Sequence, residues 1–173
     1  FGRRVVFVKP DVAQTQIIAF GPTGVRPGPE RFKADLALAR LGGGAQGRLF
    51  RALREKLGAT YGVSARLDRL GLSAYALSIS TAVAHDKAAA VVEAIGRIYD
   101  EWRQNGVSEA ELAAARSQAR SSWNQSLTQP GRVAATLVFS GIDGLEGEDF
   151  DSRAAAREAV TRDAINAYIR AHF

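Results

Sequence analysis

The segment LGGGAQGRLFRALREKLGATYGV, residues 41–63, decides the fold of this chain. An apolar pattern of helical spacing leads into three consecutive glycines, and leucines then recur every four residues at positions 49, 53 and 57. Glycine readily takes the left-handed conformation that ends a helix, so the glycine run and Gly58 predict two helix ends. A strand is predicted to begin at Tyr61. The segment therefore predicts a helix, a glycine break, a second helix and a strand.

The flanking sequence extends this pattern on both sides. Apolar spacings typical of strands and helices are separated by breaker residues, and residues 68–71 are predicted to form a hairpin turn. Ser108 and Glu111 form a capping box that opens a long helix, whereas the acidic stretch at residues 146–151 is interpreted as a solvated connection. Strands are predicted at residues 5–8, 15–20, 61–67 and 72–83, and helices at 32–41, 49–57, 85–105, 108–128, 132–142 and from 161 onward.

The apolar faces of these elements predict an α+β fold. The strand at residues 72–83 places Tyr75, Leu77 and Ile79 on one face, and the helix after it has one apolar face. Such a helix buries its apolar face against a sheet, so we expect an antiparallel sheet covered on one side by helices. A chain of 173 residues can bury a sufficient core without disulfides or a structural metal. Residues 1–173 are assigned to one domain.

The inventory of side chains restricts metal and nucleophile chemistry. The chain has no cysteine and two histidines, His85 and His172. A zinc site requires three or four nitrogen, sulfur or oxygen ligands, so no metal site is predicted in this chain alone. His85, beside Asp86, is interpreted as part of a helix cap, and His172 as a frayed residue near the end of the chain. No Ser/His/Asp or Cys/His set can be assembled.

The net charge of +5 results from 23 basic and 18 acidic residues. The basic residues are scattered, without a run of five and without interleaved aromatic residues, which predicts a solvated positive surface and no nucleic-acid partner. No apolar run reaches the roughly 18 residues of a transmembrane helix, so no membrane insertion is expected. The chain begins at Phe1 and contains no methionine, which indicates a fragment, a processed product or an excised domain.

A glycine pattern in the central segment imitates a dinucleotide-binding motif. Gly42, Gly44 and Gly47 fit G-x-G-x-x-G, and Asp68 lies about 20 residues further on. Such a motif must leave a strand and open a helix, because the phosphates bind at the helix N-terminus. The residues before Gly42 have helical spacing instead. A glycine break between two helices explains these glycines.

The pattern alone predicts that Arg54 is a solvated helix residue and Tyr61 a half-buried strand residue. The run G-R-L-F followed by L-R-E-K-x-G-x-x-Y-G-V, however, resembles the C-terminal half-domain of the pitrilysin-type zinc peptidases, which include insulin-degrading enzyme and the mitochondrial processing peptidase. The resemblance extends over nearly the whole chain, through K-P-D at residues 9–11, S-x-x-E-L at Ser108 and A-V-T-R-D at residues 159–163.

In that family two similar halves close on a peptide, and the N-terminal half holds zinc through an H-x-x-E-H motif and a distal Glu. This chain has no H-x-x-E-H motif, so the resemblance implies that zinc belongs to a partner half and that this chain is inactive alone. The family's C-terminal half carries an Arg and a Tyr seven positions apart, as are Arg54 and Tyr61. The resemblance implies that both bind substrate and that Tyr61 is catalytic, donating to the carbonyl oxygen that gains negative charge. The glycine-rich loop of Gly42, Gly43 and Gly44 belongs to the same motif.

Three functions remain open at this point. The first is the non-metal half of a zinc metalloendopeptidase, which completes a peptide-binding chamber with an H-x-x-E-H half from the same parent chain or a separate subunit. The second is a catalytically inactive structural or scaffold homologue of the same fold. The third is an α+β module that binds a small ligand or nucleic acid. The compartment, periplasm or cytoplasm, is also left open.

Overall fold

A computed structural model describes residues 13–145 and 147–173, with the backbone alone for residues 147–151. The predicted strand at residues 5–8 and the K-P-D sequence at residues 9–11 lie outside the described residues. Within them no helix is both long and apolar enough to cross a membrane.

Three antiparallel strands form the described sheet. They are β1 (Thr15–Pro22), β2 (Val63–Leu70) and β3 (Ala74–Val83), and β3 lies between the other two. Ile79 of the central strand pairs with Ala19 on one side and Ala65 on the other. A strand thus lies on each side of β3, and the prediction of an antiparallel sheet is confirmed.

Seven helices accompany these strands in the described part of the chain. The second is short and continues into a wider turn over Arg51–Lys56, and a single 3₁₀ turn precedes the third. The helices are α1 (Arg31–Gly42), α2 (Arg48–Phe50), α3 (Ala88–Asn105), α4 (Glu109–Leu127), α5 (Pro130–Ile142), α6 (Gly147–Ala159) and α7 (Arg162–His172).

The hydrophobic core lies between one face of the sheet and the helices. Leu77, Ile79 and Val83 of β3 are buried in it together with apolar side chains of α1, α2, α3, α4 and α7. On the opposite face of the sheet, Ile18 and Phe20 of β1 are 63% and 50% exposed. The alternation follows from the two-residue period of a strand, and it confirms an α+β fold whose sheet is covered by helices on one side.

The glycine break between α1 and α2 is required by close packing. A Cβ atom on Gly42 would lie 2.6 Å from both the Cβ and the backbone N of Ala65 in β2. A Cβ on Gly47 would lie 3.0 Å from the Cα of Gly42. Gly44 has a φ of +64°, a conformation that L residues rarely adopt. The lack of a side chain at Gly42 lets α1 lie against β2, and the lack of one at Gly47, together with the left-handed Gly44, lets the chain turn into α2.

The start of α4 confirms the predicted capping box. Ser108 Oγ accepts a hydrogen bond from the backbone N–H of Glu111 at 3.2 Å, and Glu111 Oε2 accepts one from the backbone N–H of Ser108 at 2.9 Å. Each side chain satisfies a backbone donor that the first turn of a helix leaves free. Thr161 caps α7 similarly, accepting from the backbone N–H of Ala164.

Two boundaries of β2 differ from the prediction. The strand begins at Val63, so Tyr61 lies in the loop before it, and it continues to Leu70, so Asp68 is a strand residue that pairs with Ala76. The hairpin turn starts at Gly71, whose φ is +73°. The predicted turn began too early because residues 68–70 continue the antiparallel pairing with β3, as far as Leu70 opposite Ala74.

Two interpretations near the C-terminus are also wrong. The acidic stretch, of which residue 146 lies outside the described residues, runs into α6 from Gly147 onward. His172 is not frayed, because its Nδ1 lies 2.9 Å from the carbonyl oxygen of Gly24 and its own carbonyl accepts the Gly24 N–H at 2.7 Å. The carbonyl groups of the last helical turn have no hydrogen-bond partner within the helix, and Gly24 supplies one for His172.

Candidate functional site

The loop that carries the predicted site begins where α2 loosens. Leu49 and Leu53 are fully buried and fix the inner side of this helix. The backbone N–H of Leu57 bonds the carbonyl oxygen of Ala52, five residues back, at 3.1 Å, so the last turn is wider than an α-helix. Gly58 then reverses the chain with a φ of +53°, which confirms it as the helix end. The chain leads from here to Tyr61.

Arg54 and Tyr61 come together across this reversal. Nη1 of Arg54 donates a hydrogen bond to the backbone carbonyl oxygen of Tyr61 at 3.1 Å. The guanidinium carbon also lies 5.9 Å from the centre of the Tyr61 ring and 5.5 Å from that of Phe50. A guanidinium at this distance from an aromatic face is attracted by the ring quadrupole. The seven-residue separation thus places the two predicted side chains beside each other.

The phenol of Tyr61 points into solvent. The residue is 85% exposed, in contrast with the half-buried strand position that the pattern alone predicted. Arg54 is exposed as well, and its single described hydrogen bond uses one of the five N–H donors of a guanidinium. Both side chains can therefore reach a group that approaches from outside.

A buried pair of threonines holds the loop in place, and sequence reasoning missed it. Thr81 Oγ1 of β3 donates to Thr60 Oγ1 at 2.8 Å, and Thr60 Oγ1 accepts the backbone N–H of Gly62 at 3.1 Å. The carbonyl oxygens of Gly62 and Ala82 lie 2.8 and 2.9 Å from Thr60 Oγ1, so one of them accepts its proton. Both residues flanking Tyr61 are thereby tied to the central strand.

A signal for this pair exists in the sequence. Thr81 falls on the same two-residue period as Leu77, Ile79 and Val83, so it is a polar residue on the core face of its strand. A buried hydroxyl requires a hydrogen-bond partner, and the register of β2 against β3 brings the residues before β2 within its reach.

Lys87 supports the same loop from the 3₁₀ turn before α3. Its Nζ donates to the carbonyl oxygens of Leu57 and Gly58 at 3.1 and 3.0 Å. These carbonyls end the wide turn, where a helix leaves its acceptors without intrahelical partners. A cation at a helix C-terminus also interacts favourably with the helix dipole.

The histidines and carboxylates of the described residues do not fit a zinc ion. His85 Nδ1 lies 2.6 Å from Thr15 Oγ1, and His172 Nδ1 is engaged with Gly24. No three of the described His, Asp or Glu side chains are grouped as a metal site requires. His85 lies within the 3₁₀ turn that leads into α3, and the N-cap residue of that helix is Lys87, so the predicted cap role of His85 is wrong.

Comparison with known proteins identifies the family. The family model of the peptidase M16 inactive domain matches residues 1–119. The chain belongs to this family. The resemblance to the pitrilysin-type C-terminal half-domain, drawn from the G-R-L-F run and the sequence after it, is thereby confirmed.

Solved structures share the fold of this M16 inactive domain. A crystal structure of a peptidase M16 inactive domain from Pseudomonas fluorescens is 21% identical, with a TM-score of 0.84, and the match covers 94% of this chain and 39% of that one. An inactive peptidase domain from Bordetella parapertussis is 20% identical, with a TM-score of 0.74, over 96% of this chain and 90% of that one. These likenesses show the α+β fold.

Curated relatives are named as zinc proteases. An uncharacterized zinc protease of Mycobacterium tuberculosis is 26% identical over 167 residues, which is 96% of this chain and 38% of that protein. One from Mycobacterium leprae is 30% identical over 119 residues, which is 69% of this chain and 26% of that protein. The M16 inactive domain thus spans less than two fifths of the length of these relatives.

Proposed function

We propose that this M16 inactive domain is the non-metal half of a zinc metalloendopeptidase. In this proposal it contributes peptide binding and transition-state stabilisation to a zinc site on another half or subunit that bears an H-x-x-E-H motif. The observation that carries it is the pairing of Arg54 with Tyr61 on one solvent-facing loop. Support also comes from the longer relatives that are named zinc proteases.

Arg54 is suited to hold a peptide backbone. Its Nη1 donates to the carbonyl oxygen of Tyr61, and its guanidinium carbon lies 5.5 and 5.9 Å from the centres of the Phe50 and Tyr61 rings. The remaining N–H donors can bind a substrate carbonyl oxygen and orient the scissile bond. Arg54 is therefore proposed as a substrate-binding residue.

Tyr61 is suited to donate a hydrogen bond. As a peptide carbonyl is attacked, its oxygen gains negative charge, and a phenol held at that oxygen stabilises the charge most strongly where water is excluded. In this chain Tyr61 is 85% exposed to water. The partner half must cover it before it can act, which is why we expect the chain alone to be inactive.

Reconstitution with a metal-bearing half tests this proposal. The chain is mixed with a zinc-loaded H-x-x-E-H half, and cleavage of an unfolded fluorogenic peptide is followed. Cleavage should exceed that of the partner alone, Tyr61→Phe should lower kcat about 10²- to 10³-fold, and Arg54→Ala should lower kcat/KM. Arg97→Ala, which changes an exposed arginine outside the loop, is the matched control for Arg54→Ala. Tyr99→Phe removes a phenol hydroxyl that donates to the Phe173 carbonyl outside the loop, and it serves as the second control once circular dichroism shows that the variant is folded. An unchanged rate when the chain is added would overturn the proposal.

The scaffold alternative gives a different result in the same assay. A scaffold needs the fold and not the exposed pair, so Tyr61→Phe would leave the partner's activity intact. Ile95, which is 3% exposed in the core, would matter instead, and Ile95→Ala would abolish assembly.

A further inference from the structure

Lys87 lies at a position where its charge does not suit its own helix. It ends the 3₁₀ turn and is the N-cap residue of α3, and among the described residues its side chain makes no hydrogen bond that caps this helix. The free N–H groups at the start of a helix carry partial positive charge, so an acidic or hydroxyl side chain is favoured there and a cation is disfavoured. The stability of α3 therefore does not explain a lysine at this position.

The side chain of Lys87 binds the neighbouring loop instead. Both hydrogen bonds described for its Nζ go to the carbonyl oxygens of Leu57 and Gly58, at 3.1 and 3.0 Å. These oxygens lie at the end of the wide turn, where a helix carries partial negative charge. Hydrogen bonds from a charged donor are about twice as strong as neutral ones. One cation thus fixes two successive peptide groups.

The two peptide groups lie between Arg54 and Tyr61. The backbone N–H of Gly58, whose carbonyl oxygen Lys87 binds, donates to the carbonyl oxygen of Arg54 at 3.1 Å. Tyr61 follows Gly58 by three residues, and its carbonyl oxygen accepts the hydrogen bond from Arg54 Nη1. The segment that Lys87 holds therefore determines how the two side chains are placed relative to each other.

The conformation of this segment explains why it needs a contact from outside. The helical turn over Arg51–Lys56 is wider than an α-helix, and Gly58 has a left-handed φ of +53°. Glycine loses more conformational freedom on folding than any other residue, so the reversal is costly to hold in one conformation. A residue that departs from the preference of its own element is expected near a functional site. Lys87 fits this description.

We propose that Lys87 is a positioning residue for the Arg54–Tyr61 pair. The inference rests on the proposed function, because it assigns to Lys87 the task of holding Tyr61 where the carbonyl oxygen of the peptide is bound. Lys87 acts through the carbonyl groups of Leu57 and Gly58. A misplaced phenol loses the hydrogen bond that forms in the transition state, so removal of the ammonium group should lower kcat with little change in KM.

Hydrogen exchange in the 173-residue chain tests the contact without a partner half. Lys87→Met replaces the ammonium by an apolar group, and exchange at the amides of Gly58 and Ala59 should become at least about tenfold faster. Lys56→Met removes the same charge from an exposed position on the wide turn and should leave both amides protected. Lys87→Arg keeps a cationic donor and should exchange nearly as slowly as the wild type. Circular dichroism confirms that each variant is folded.

Reconstituted cleavage tests the consequence for catalysis. In the presence of the zinc-loaded H-x-x-E-H half, Lys87→Met should lower kcat about 10- to 100-fold while KM stays nearly constant. Lys87→Arg should recover most of kcat, and Lys56→Met should match the wild type. A residue that only stabilises the fold would give the same kcat for every folded variant.

The outcomes separate this inference from the proposed function. Unchanged exchange in Lys87→Met, or an unchanged kcat in an assay that Tyr61→Phe slows, would overturn the positioning role and leave the proposed function intact. Equal losses in Lys87→Met and Lys56→Met, or no recovery in Lys87→Arg, would also overturn the positioning role. Faster exchange in Lys87→Met, together with no cleavage by the wild-type chain and its partner, would overturn the proposed function and the positioning role with it.

Discussion

Arg48 and Glu111 are 63 residues apart in the chain and form a two-bonded ion pair, with Nε 2.8 Å from Oε1 and Nη2 2.7 Å from Oε2. Nη2 of Arg48 also donates to the carbonyl oxygen of Gly106 at 2.7 Å. Glu111 is at the same time the capping-box residue of α4. One carboxylate therefore joins the G-R-L-F run to the S-x-x-E-L sequence, two of the motifs that carry the family resemblance.

Replacing Glu111 by glutamine should destabilise the fold by about 1 to 3 kcal/mol, because Arg48 keeps its charge and loses its partner. Glu109→Gln is the matched control, since that side chain is 70% exposed and lies 3.8 Å from Arg162. Urea denaturation at pH 7 measures both. Equal unfolding midpoints for the two variants would contradict this role of the pair.

The Arg48–Glu111 pair should make the free energy of unfolding depend on pH in the acidic range. Burial alone would raise the pKa of Glu111, but hydrogen bonds from Arg48 and the Ser108 backbone outweigh it and hold the pKa below its ordinary value of 4.5. A carboxyl group whose pKa is lowered in the folded state stabilises the fold at pH values above its ordinary pKa. This contribution is lost as the pH falls through the folded-state pKa. The stability difference between the wild type and Glu111→Gln should shrink as the pH is lowered from 7 to about 3.

Gly42→Ala should destabilise the protein by about 1 to 3 kcal/mol, because the added methyl group would overlap Ala65 at 2.6 Å. Gly96→Ala is the control. Gly96 lies inside α3 with no atom within 4 Å of an added Cβ, so the same substitution there should stabilise the helix by about 0.5 to 1 kcal/mol. Thermal unfolding of the two variants should give shifts of opposite sign, and a harmless Gly42→Ala would refute the packing role of the glycine break.

Thr81→Val should loosen the loop that carries Tyr61. The substitution removes the hydroxyl that bonds Thr60, at a cost of about 1 kcal/mol, and leaves the shape of the side chain nearly unchanged. Hydrogen exchange at the amide of Gly62 should become faster. Ser64→Ala, which removes a hydroxyl that bonds Ser80 on β3, is the control and should leave Gly62 protected. Unchanged exchange in Thr81→Val would show that the threonine pair does not hold the loop.

Ionisation of Tyr168 should lower the free energy of unfolding at alkaline pH. Burial, with smaller contributions from Glu30 and Asp35, raises its pKa to about 12 against the opposing effect of Arg31. A phenol whose pKa is raised in the folded state stabilises the fold at pH values below its ordinary pKa of 10.0. This contribution is lost as the pH rises toward the folded-state pKa. Tyr168→Phe should therefore flatten the loss of stability above pH 10. Urea denaturation across this range, with phenolate absorbance to follow ionisation, measures the effect, and parallel curves for both proteins would contradict it.

Local signals determined much of the fold. The Ser108–Glu111 pair, the left-handed Gly58 and the leucines at positions 49 and 53 each act within one or two turns of chain, so their pattern predicts helix starts, ends and buried faces. The pairing of Arg54 with Tyr61 was implied by the family resemblance and not by the pattern of residues, although the two side chains meet across a single helix end. Even here, the sequence pattern alone gave Tyr61 the wrong exposure, since β2 begins two residues later than predicted.

The tertiary structure alone decided which distant groups meet. Thr81 meets Thr60 through the register of two strands, Arg48 meets Glu111 through the packing of two helices, and His172 is held by Gly24 from the other end of the chain. Arg31, Arg69, Arg132 and Arg157, which are scattered in the sequence, line one cleft between α1, the β2–β3 hairpin, α5 and α6. Periodicity describes one element at a time, whereas these contacts depend on how elements are oriented against the core. The sequence by itself determined most of the elements and the Arg54–Tyr61 spacing, and the packing decided what supports that pair.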